Sequence, residues 1–171
     1  MKDVTLTPTS YLVLGMVSAA GEATPYDLKQ MLGASAGHFW SVPHSQVYAE
    51  SSRLAKAGLL AEDRERTGRR RKRYSLTPRG RKALEEWAGT PTADSYELRD
   101  PGLLKLALGG DPPALAAAQL EAHREKLALF EGILAQLKEA GAPKAQQLLV
   151  ESGIGHEREY LRFWSKVARS G

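Results

Sequence analysis

Apolar residues recur at helical spacing through most of the chain, interrupted by one short stretch that reads as two strands around a turn. Thr7 followed by Pro8 is an N-cap with proline at the first helical position. The helix it opens runs from Thr9 to about Ala20 with Leu12, Met16 and Ala19 on one face. Ala20 to Glu22 read as a short turn. Thr24, Pro25 and Asp27 repeat the start signal, since Asp27 at the third position can reach back to the Thr24 amide as in a capping box. This second helix extends to about Leu32 and buries Leu28, Met31 and Leu32. Residues 33–42 are rich in small side chains but hold Phe39 and Trp40, which are expected to dock and set the approach angle of the next helix.

That helix runs from Pro43 to Ala57, with Ser41 available as its N-cap and Gly58 as its end. At about 100° per residue Val47, Ser51, Leu54 and Gly58 fall together, a thin packing stripe. The opposite side carries Ser45, Ala49, Ser52 and Lys56, flanked by Gln46 and Arg53 on one edge and Tyr48 on the other. Small side chains and hydrogen-bond donors are what a helix needs to enter a major groove and reach bases and phosphates. A strand beginning at Leu59, a turn at Thr67 and Gly68, and a second strand returning through Tyr74 and Leu76 come next. Arg69, Arg70, Arg71, Lys72 and Arg73 occupy five consecutive positions beside that turn. Charge at this density repels itself unless an anion relieves it, which points to nucleic acid. Helix followed by cationic hairpin is the outline of a winged helix. Thr77 and Pro78 then start a helix over Arg79 to about Gly89, with Ala83, Leu84 and Trp87 as its buried side.

Gly89, Thr90, Pro91 and Thr92 mark a composition shift. The expected division is a winged helix-turn-helix DNA-binding domain over 1–89 and a helical dimerisation and possible effector domain over 90–171. The fold class is mostly α with a small β-hairpin wing. Leu98, Leu103, Leu104, Leu106 and Leu108 offer packing surface, and a long helix comes after them over about Ala114 to Ala140. In it Leu120, Leu127 and Leu134 recur every seven residues, with His123, Phe130 and Leu137 between them. That repeat suggests an extended seam, read preferentially as a dimer seam over packing within one subunit. The last helix, about Lys144 to Ala168, contains Gly153 and Gly155 and could be two segments. Its second part aligns Ile154, Leu161, Trp164 and Ala168.

Charge refines this division. Residues 1–90 hold 14 Lys or Arg against 9 Asp or Glu, whereas residues 91–171 hold 10 against 11. The positive field, and with it a polyanion partner, belongs to the first half. The absence of cysteine excludes disulfides and thiolate metal sites. No run of eighteen apolar residues and no signal-peptide layout occur, so a cytoplasmic protein without a membrane role is expected. His38, His44, His123 and His156 form no short metal-ligand pair, and neither a GxSxG elbow nor a phosphate loop is present. No catalysis, metal or cofactor is therefore expected. The alternative to a DNA-binding regulator is a noncatalytic adaptor that uses the winged helix and C-terminal helices for protein contacts, which the basic wing disfavours.

Six segments in order, LVLGMVSAAGEATPYDLKQML, FWSVPHSQVYAESSRLAKAGLL, GRRRKRYSLTPRGRKALEEW, LRDPGLLKLALGG, QLEAHREKLALFEGIL and HEREYLRFW, cover most of the chain. Through them it resembles the PadR-like transcriptional regulators, in the longer form whose helical C-terminal domain is similar to that of the virulence activator AphA. Two positions depart from the family's habit: Ser51 stands where a large apolar residue is frequent, and the wing's basic run is longer. The resemblance implies a homodimeric regulator, usually a repressor of its own or adjacent genes, bound to double-stranded DNA with an inverted repeat. Tyr26 matches a family tyrosine near the start of the second helix that can reach the DNA backbone. On the reading of the residues themselves Gln46, beside His44 and Ser45 at the start of the recognition helix, is the candidate for base contact and Lys56 for phosphate contact, with Tyr48, Ser52, Arg53 and the wing residues completing the surface. Leu120, Leu127, Phe130, Leu134, Leu137 and Leu161 form the dimer seam. The family's use of small aromatic effectors leaves two roles open for Trp164: an ordinary core or interface residue, or, with Phe130, the lining of an effector cleft.

Overall fold

The structure, a computed structural model, describes residues 4–34, 40, 42–64, 71–94 and 98–170. The chain forms two compact units that divide after Asp94, five residues beyond the expected boundary after Gly89. The first contains α1 (Pro8–Ala20), β1 (Glu22–Ala23), α2 (Pro25–Ala34), α3 (His44–Lys56), β2 (Leu60–Arg64), β3 (Lys72–Leu76) and α4 (Pro78–Ala88). The second contains α5 (Pro101–Ala107), α6 (Pro112–Glu139) and α7 (Lys144–Val167).

Local chemistry explains most boundaries of the first unit. Thr7 caps α1 through a box closed by Ser10, and the Thr24 amide and hydroxyl both donate to Asp27 at 2.8 Å at the head of α2. Thr77 accepts from the Gly80 amide to start α4. At the start of α3 the structure departs from expectation. Pro43 is the N-cap itself, outside the first turn, and among the described residues no side chain caps the helix. The expected cap, Ser41, lies outside the described residues, as does Phe39. Trp40 does not dock fully and is 43% exposed. The far end of α3 is a Schellman turn: Gly58 takes φ 73°, and the Leu59 amide returns to the Leu54 carbonyl at 3.0 Å.

The hairpin gains a third member that the turn reading of residues 20–22 missed. β1 pairs antiparallel with β3, placing Ala23 opposite Tyr74, and β2 pairs with the other edge of β3, giving the order β1-β3-β2. Under the sheet and among the helices lies one core of Val13, Leu14, Met16, Val17, Leu28, Leu32, Val47, Leu54, Leu59, Leu60 and Tyr74. The buried face of α1 is thus rotated from the expected one: Met16 is buried, but Ala19 is exposed. Trp87, expected inside, is 48% exposed and stacks on Tyr11 with ring centroids 4.4 Å apart.

In the second unit Asp100 and Asp111 cap α5 and α6, each followed by proline in the first turn. α7 is one helix through Gly153 and Gly155 rather than two. It packs antiparallel along α6, with Gly153 under the ring of Phe130 and Glu131 paired to Arg158 at 2.8 Å. Among the described residues no helix is long and apolar enough to cross a membrane.

Candidate nucleic-acid interface

The packing stripe of α3 is as thin as the sequence implies. Val47, Ser51 and Leu54 are fully buried, and the Ser51 hydroxyl donates to the Val47 carbonyl at 2.8 Å, so a buried serine leaves no unpaired group. The outward side presents His44, Ser45, Gln46 and Ala49 exposed at its first turns, with Tyr48 beside them and Lys56 at the far end. Among the described residues no side chain caps the start of this helix, and the positive end of its dipole lies beside His44 and Ser45.

Next to α3, the start of α2 and the strand β3 enclose an open cleft of about 770 Å³. Tyr26, Asp27, Tyr48, Arg71, Lys72 and Arg73 line it. Tyr26 is 61% exposed, and its hydroxyl accepts from Gln30 at 2.7 Å. Asp27 is held below the usual carboxylate range first by the Thr24 amide, then by the Thr24 hydroxyl, with Arg73 and Arg71 adding to it. The wing's field therefore reaches this helix start. Lys72 pairs with Glu62 at 3.0 Å and Arg73 with Glu22 at 3.1 Å. Arg69 and Arg70 lie outside the described residues.

Two expected DNA contacts sit differently. Ser52 is half-buried, with its hydroxyl 3.3 Å from that of Tyr74, which in turn donates to Glu62 at 3.3 Å. Arg53 is turned back into the fold: its Nε and Nη2 fork onto Glu50 at 2.8 and 2.6 Å, Nη2 also donates to Ser10, and Nη1 donates to the Thr5 carbonyl. The reason is Glu50, whose carboxylate is held among partly buried groups and requires a cation. Glu50, Glu62 and Tyr74 were absent from the sequence-derived site. The Glu50–Arg53 spacing of three residues was the visible signal; Ser10 and Tyr74 are distant in sequence.

The expected dimer seam also changes meaning. Phe130 is buried against Gly153 of α7 in the same chain, with Lys126 Nζ 5.6 Å from its ring centre, and Trp164 is fully buried. Leu120, Leu127, Leu134, Leu137 and Leu161 are half-buried rather than exposed. A helix hairpin has thus filled much of the seam from within. A groove of about 380 Å³ on this unit is walled by Glu131, Leu134, Ile154 and Arg158, with neither Phe130 nor Trp164 in its lining. Below them Glu157 is fully buried, bonded to His123 Nδ1 and 2.9 Å from Lys126 Nζ.

A donor-bearing helix face beside a cationic, three-stranded ribbon defines a winged helix-turn-helix DNA-binding protein. Residues 13–86 match the transcriptional regulator PadR-like family, and residues 98–169 match the virulence activator alpha C-terminal family. The chain thus joins a PadR-like family domain to a virulence activator alpha C-terminal domain, and it is a DNA-binding transcriptional regulator. It is 23% identical to the negative transcriptional regulator PadR of Bacillus subtilis (strain 168), over 92% of this chain and 93% of that protein. The fold is similar to that of Bacillus subtilis PadR in complex with operator DNA, with a TM-score of 0.82 at 22% identity, covering 94% of this chain and 97% of that one. The Vibrio cholerae virulence activator AphA is also similar, with a TM-score of 0.69 at 26% identity over 95% and 96% of the two chains.

Proposed function

We propose that this regulator is a homodimeric repressor that reads an inverted repeat with α3 and grips flanking phosphates with its wing, at its own or a neighbouring promoter. The observation that carries the reading is the outward turn of α3, where Ser45 and Gln46 stand exposed on a helix start beside the cleft of Tyr26, Arg71, Lys72 and Arg73. Base contact falls to His44, Ser45 and Gln46, and phosphate contact to Tyr26, Tyr48, Lys56 and residues 69–73. The ion pair of Arg73 with Glu22 does not oppose this, because an exposed pair is worth only about 0–1 kcal/mol and exchanges readily for phosphate. Protection mapping on the protein's own promoter should show two half-sites centred about 34–36 Å apart, or a multiple of it, on one face of the duplex. One asymmetric half-site bound by one subunit overturns the model. Binding that does not weaken with added salt favours the adaptor reading instead.

The homodimer rests on apolar surface left over after α6 and α7 pair: Leu104, Leu108, Leu129, Leu148 and Leu149 are exposed, Leu108 by 79%. An aromatic effector is a further part of the proposal. Bacillus subtilis PadR has also been solved in complex with p-coumaric acid. In this chain the indole N–H of Trp164 is buried without a hydrogen-bond partner among the described residues, and a planar ligand with an acceptor satisfies it if α6 and α7 part to admit it. Such a ligand releases DNA only by binding the incompatible state more tightly. With Trp40 and Trp87 replaced by Phe, Trp164 fluorescence titrated with aromatic acids, beside operator affinity, tests this. No saturable change and no loss of affinity across the panel reject it.

A further inference from the structure

We propose that Glu50 and Arg53 form a positioning lock that fixes the orientation in which α3 meets DNA, and that Arg53 serves there instead of at a phosphate. The inference rests on the proposed DNA-reading role of α3. Hydrophobic contact alone holds this helix weakly against rotation about its own axis, because its buried stripe is Val47, Ser51 and Leu54, and the Ser51 hydroxyl bonds within its own helix. Directional bonds supply what the stripe lacks. Arg53 forks bidentately onto Glu50, the geometry in which a guanidinium and a carboxylate hold each other most rigidly. Fully buried Ser10, in the first turn of α1, donates to Glu50 at 2.6 Å and accepts from Arg53 at 3.0 Å. Arg53 also holds the Thr5 carbonyl at 3.1 Å, stitching the segment before α1 to the same point. Four of the five guanidinium N–H groups are thereby used.

The energetics decide between lock and phosphate contact. The Glu50 side chain is only 13% exposed, and Arg53 and Ser10 together hold its carboxyl below the usual range against the opposing effect of burial. Moving Arg53 to a phosphate strands that carboxylate without its cation, at a cost larger than one solvent-screened contact returns. A recognition helix displaced by about 1 Å loses base contacts that demand near-ideal geometry, while non-specific phosphate attraction tolerates the shift.

The test uses the full-length protein, its operator duplex and a mixed-sequence duplex across a salt series. Glu50→Gln and Arg53→Gln should each weaken operator binding roughly tenfold, leaving mixed-sequence binding and the salt slope unchanged, and the double substitution should be no worse than either. Arg53→Lys keeps the charge but loses the fork, so it should behave like Arg53→Gln. The opposite pattern overturns the lock: a salt slope reduced by about one in Arg53→Gln, retained binding in Arg53→Lys, and unchanged or tighter binding in Glu50→Gln, which removes a negative charge near DNA. Hydrogen exchange on the free proteins gives a readout independent of DNA. Amides of α3 should exchange faster in Glu50→Gln and Arg53→Lys, with α6 and α7 unchanged; equal protection in α3 refutes the lock. A wild-type protein that binds neither duplex refutes the DNA-reading role itself, while the exchange data still decide whether the lock exists.

Discussion

The two units bury their apolar residues by opposite strategies. In the first, four helices and a three-stranded sheet close around one core in which Val13, Leu14, Val17, Leu28, Val47, Leu54 and Tyr74 have no exposed surface. In the second, a long antiparallel pair of helices closes only along one stripe, around Phe130, Ile154 and Trp164, and its outer leucines meet solvent. Two helices alone can bury one stripe each, so such a layer is incomplete until another covers it. The lesson is a division of labour. The first unit is finished and turns a polar face outward to read a partner; the second is unfinished and awaits a second copy, as the homodimer proposal requires.

The sharpest way to probe the finished unit is to disturb its closest approach. A Cβ added at Gly80 would lie 2.0 Å from the Leu59 carbonyl oxygen and 3.0 Å from its carbon, backbone that cannot yield without parting α4 from the sheet. Gly80→Ala is expected to cost about 4 kcal/mol or more in denaturant unfolding of this unit. If the cost is slight, the core is looser than its burial indicates.

For the unfinished unit the corresponding change is on its outside. Leu129→Glu combined with Leu148→Glu should leave α6 and α7 folded by circular dichroism yet shift the protein to monomers in sedimentation. Operator affinity should fall by about 10²–10⁴-fold as two tethered reading heads become separate ones. A retained dimer would move the interface to another surface.

Within the hairpin, two glycines separate close packing from open surface. A Cβ at Gly153 meets the Phe130 ring at 2.9 Å, whereas one at Gly132 meets nothing within 4 Å. Gly153→Ala should destabilise by about 1–3 kcal/mol, and Gly132→Ala should stabilise by about 0.5–1 kcal/mol through helix propensity alone. Thermal melts of the pair should therefore move in opposite directions.

Acid gives the mildest effect and touches both units. The Glu50 carboxyl is lowered by Arg53 above all; at Glu157 burial is the largest single influence and raises it, but bonds from His123 and Lys126 together outweigh that and leave it lowered too. A carboxylate whose folded pKa is depressed stabilises fully above its ordinary value near 4.5 and loses that contribution as pH falls through the folded value. Melting temperature measured from about pH 6 to about pH 3 should decline, and Glu50→Gln or Glu157→Gln should each flatten part of the decline. An unchanged slope in both would mean that neither pairing persists in solution.

Much of this protein is readable from its sequence, and the readable part is local. Helix starts at Thr7, Thr24 and Thr77 follow from side chains reaching amides two or three residues away, and the stripe of Val47, Ser51 and Leu54 follows from helical periodicity. The basic run at 69–73 and the exposed donors at 44–46 are equally local, so the outline of the proposed DNA-binding face was legible from spacing and charge. Tertiary structure decided whatever depends on a distant partner. β1 exists because Glu22 and Ala23 meet β3 some fifty residues away, and two residues carry no period from which to read it. The buried face of α1 was chosen by the sheet and α3, Trp87 found Tyr11 instead of the core, and the heptad leucines of α6 met their own chain's α7 first. Arg53 shows the physical reason most directly: an arginine on a helix edge is a phosphate donor by pattern, but a half-buried carboxylate held beside buried Ser10 binds it inward, because that carboxylate lacks the full hydration an exposed one would have.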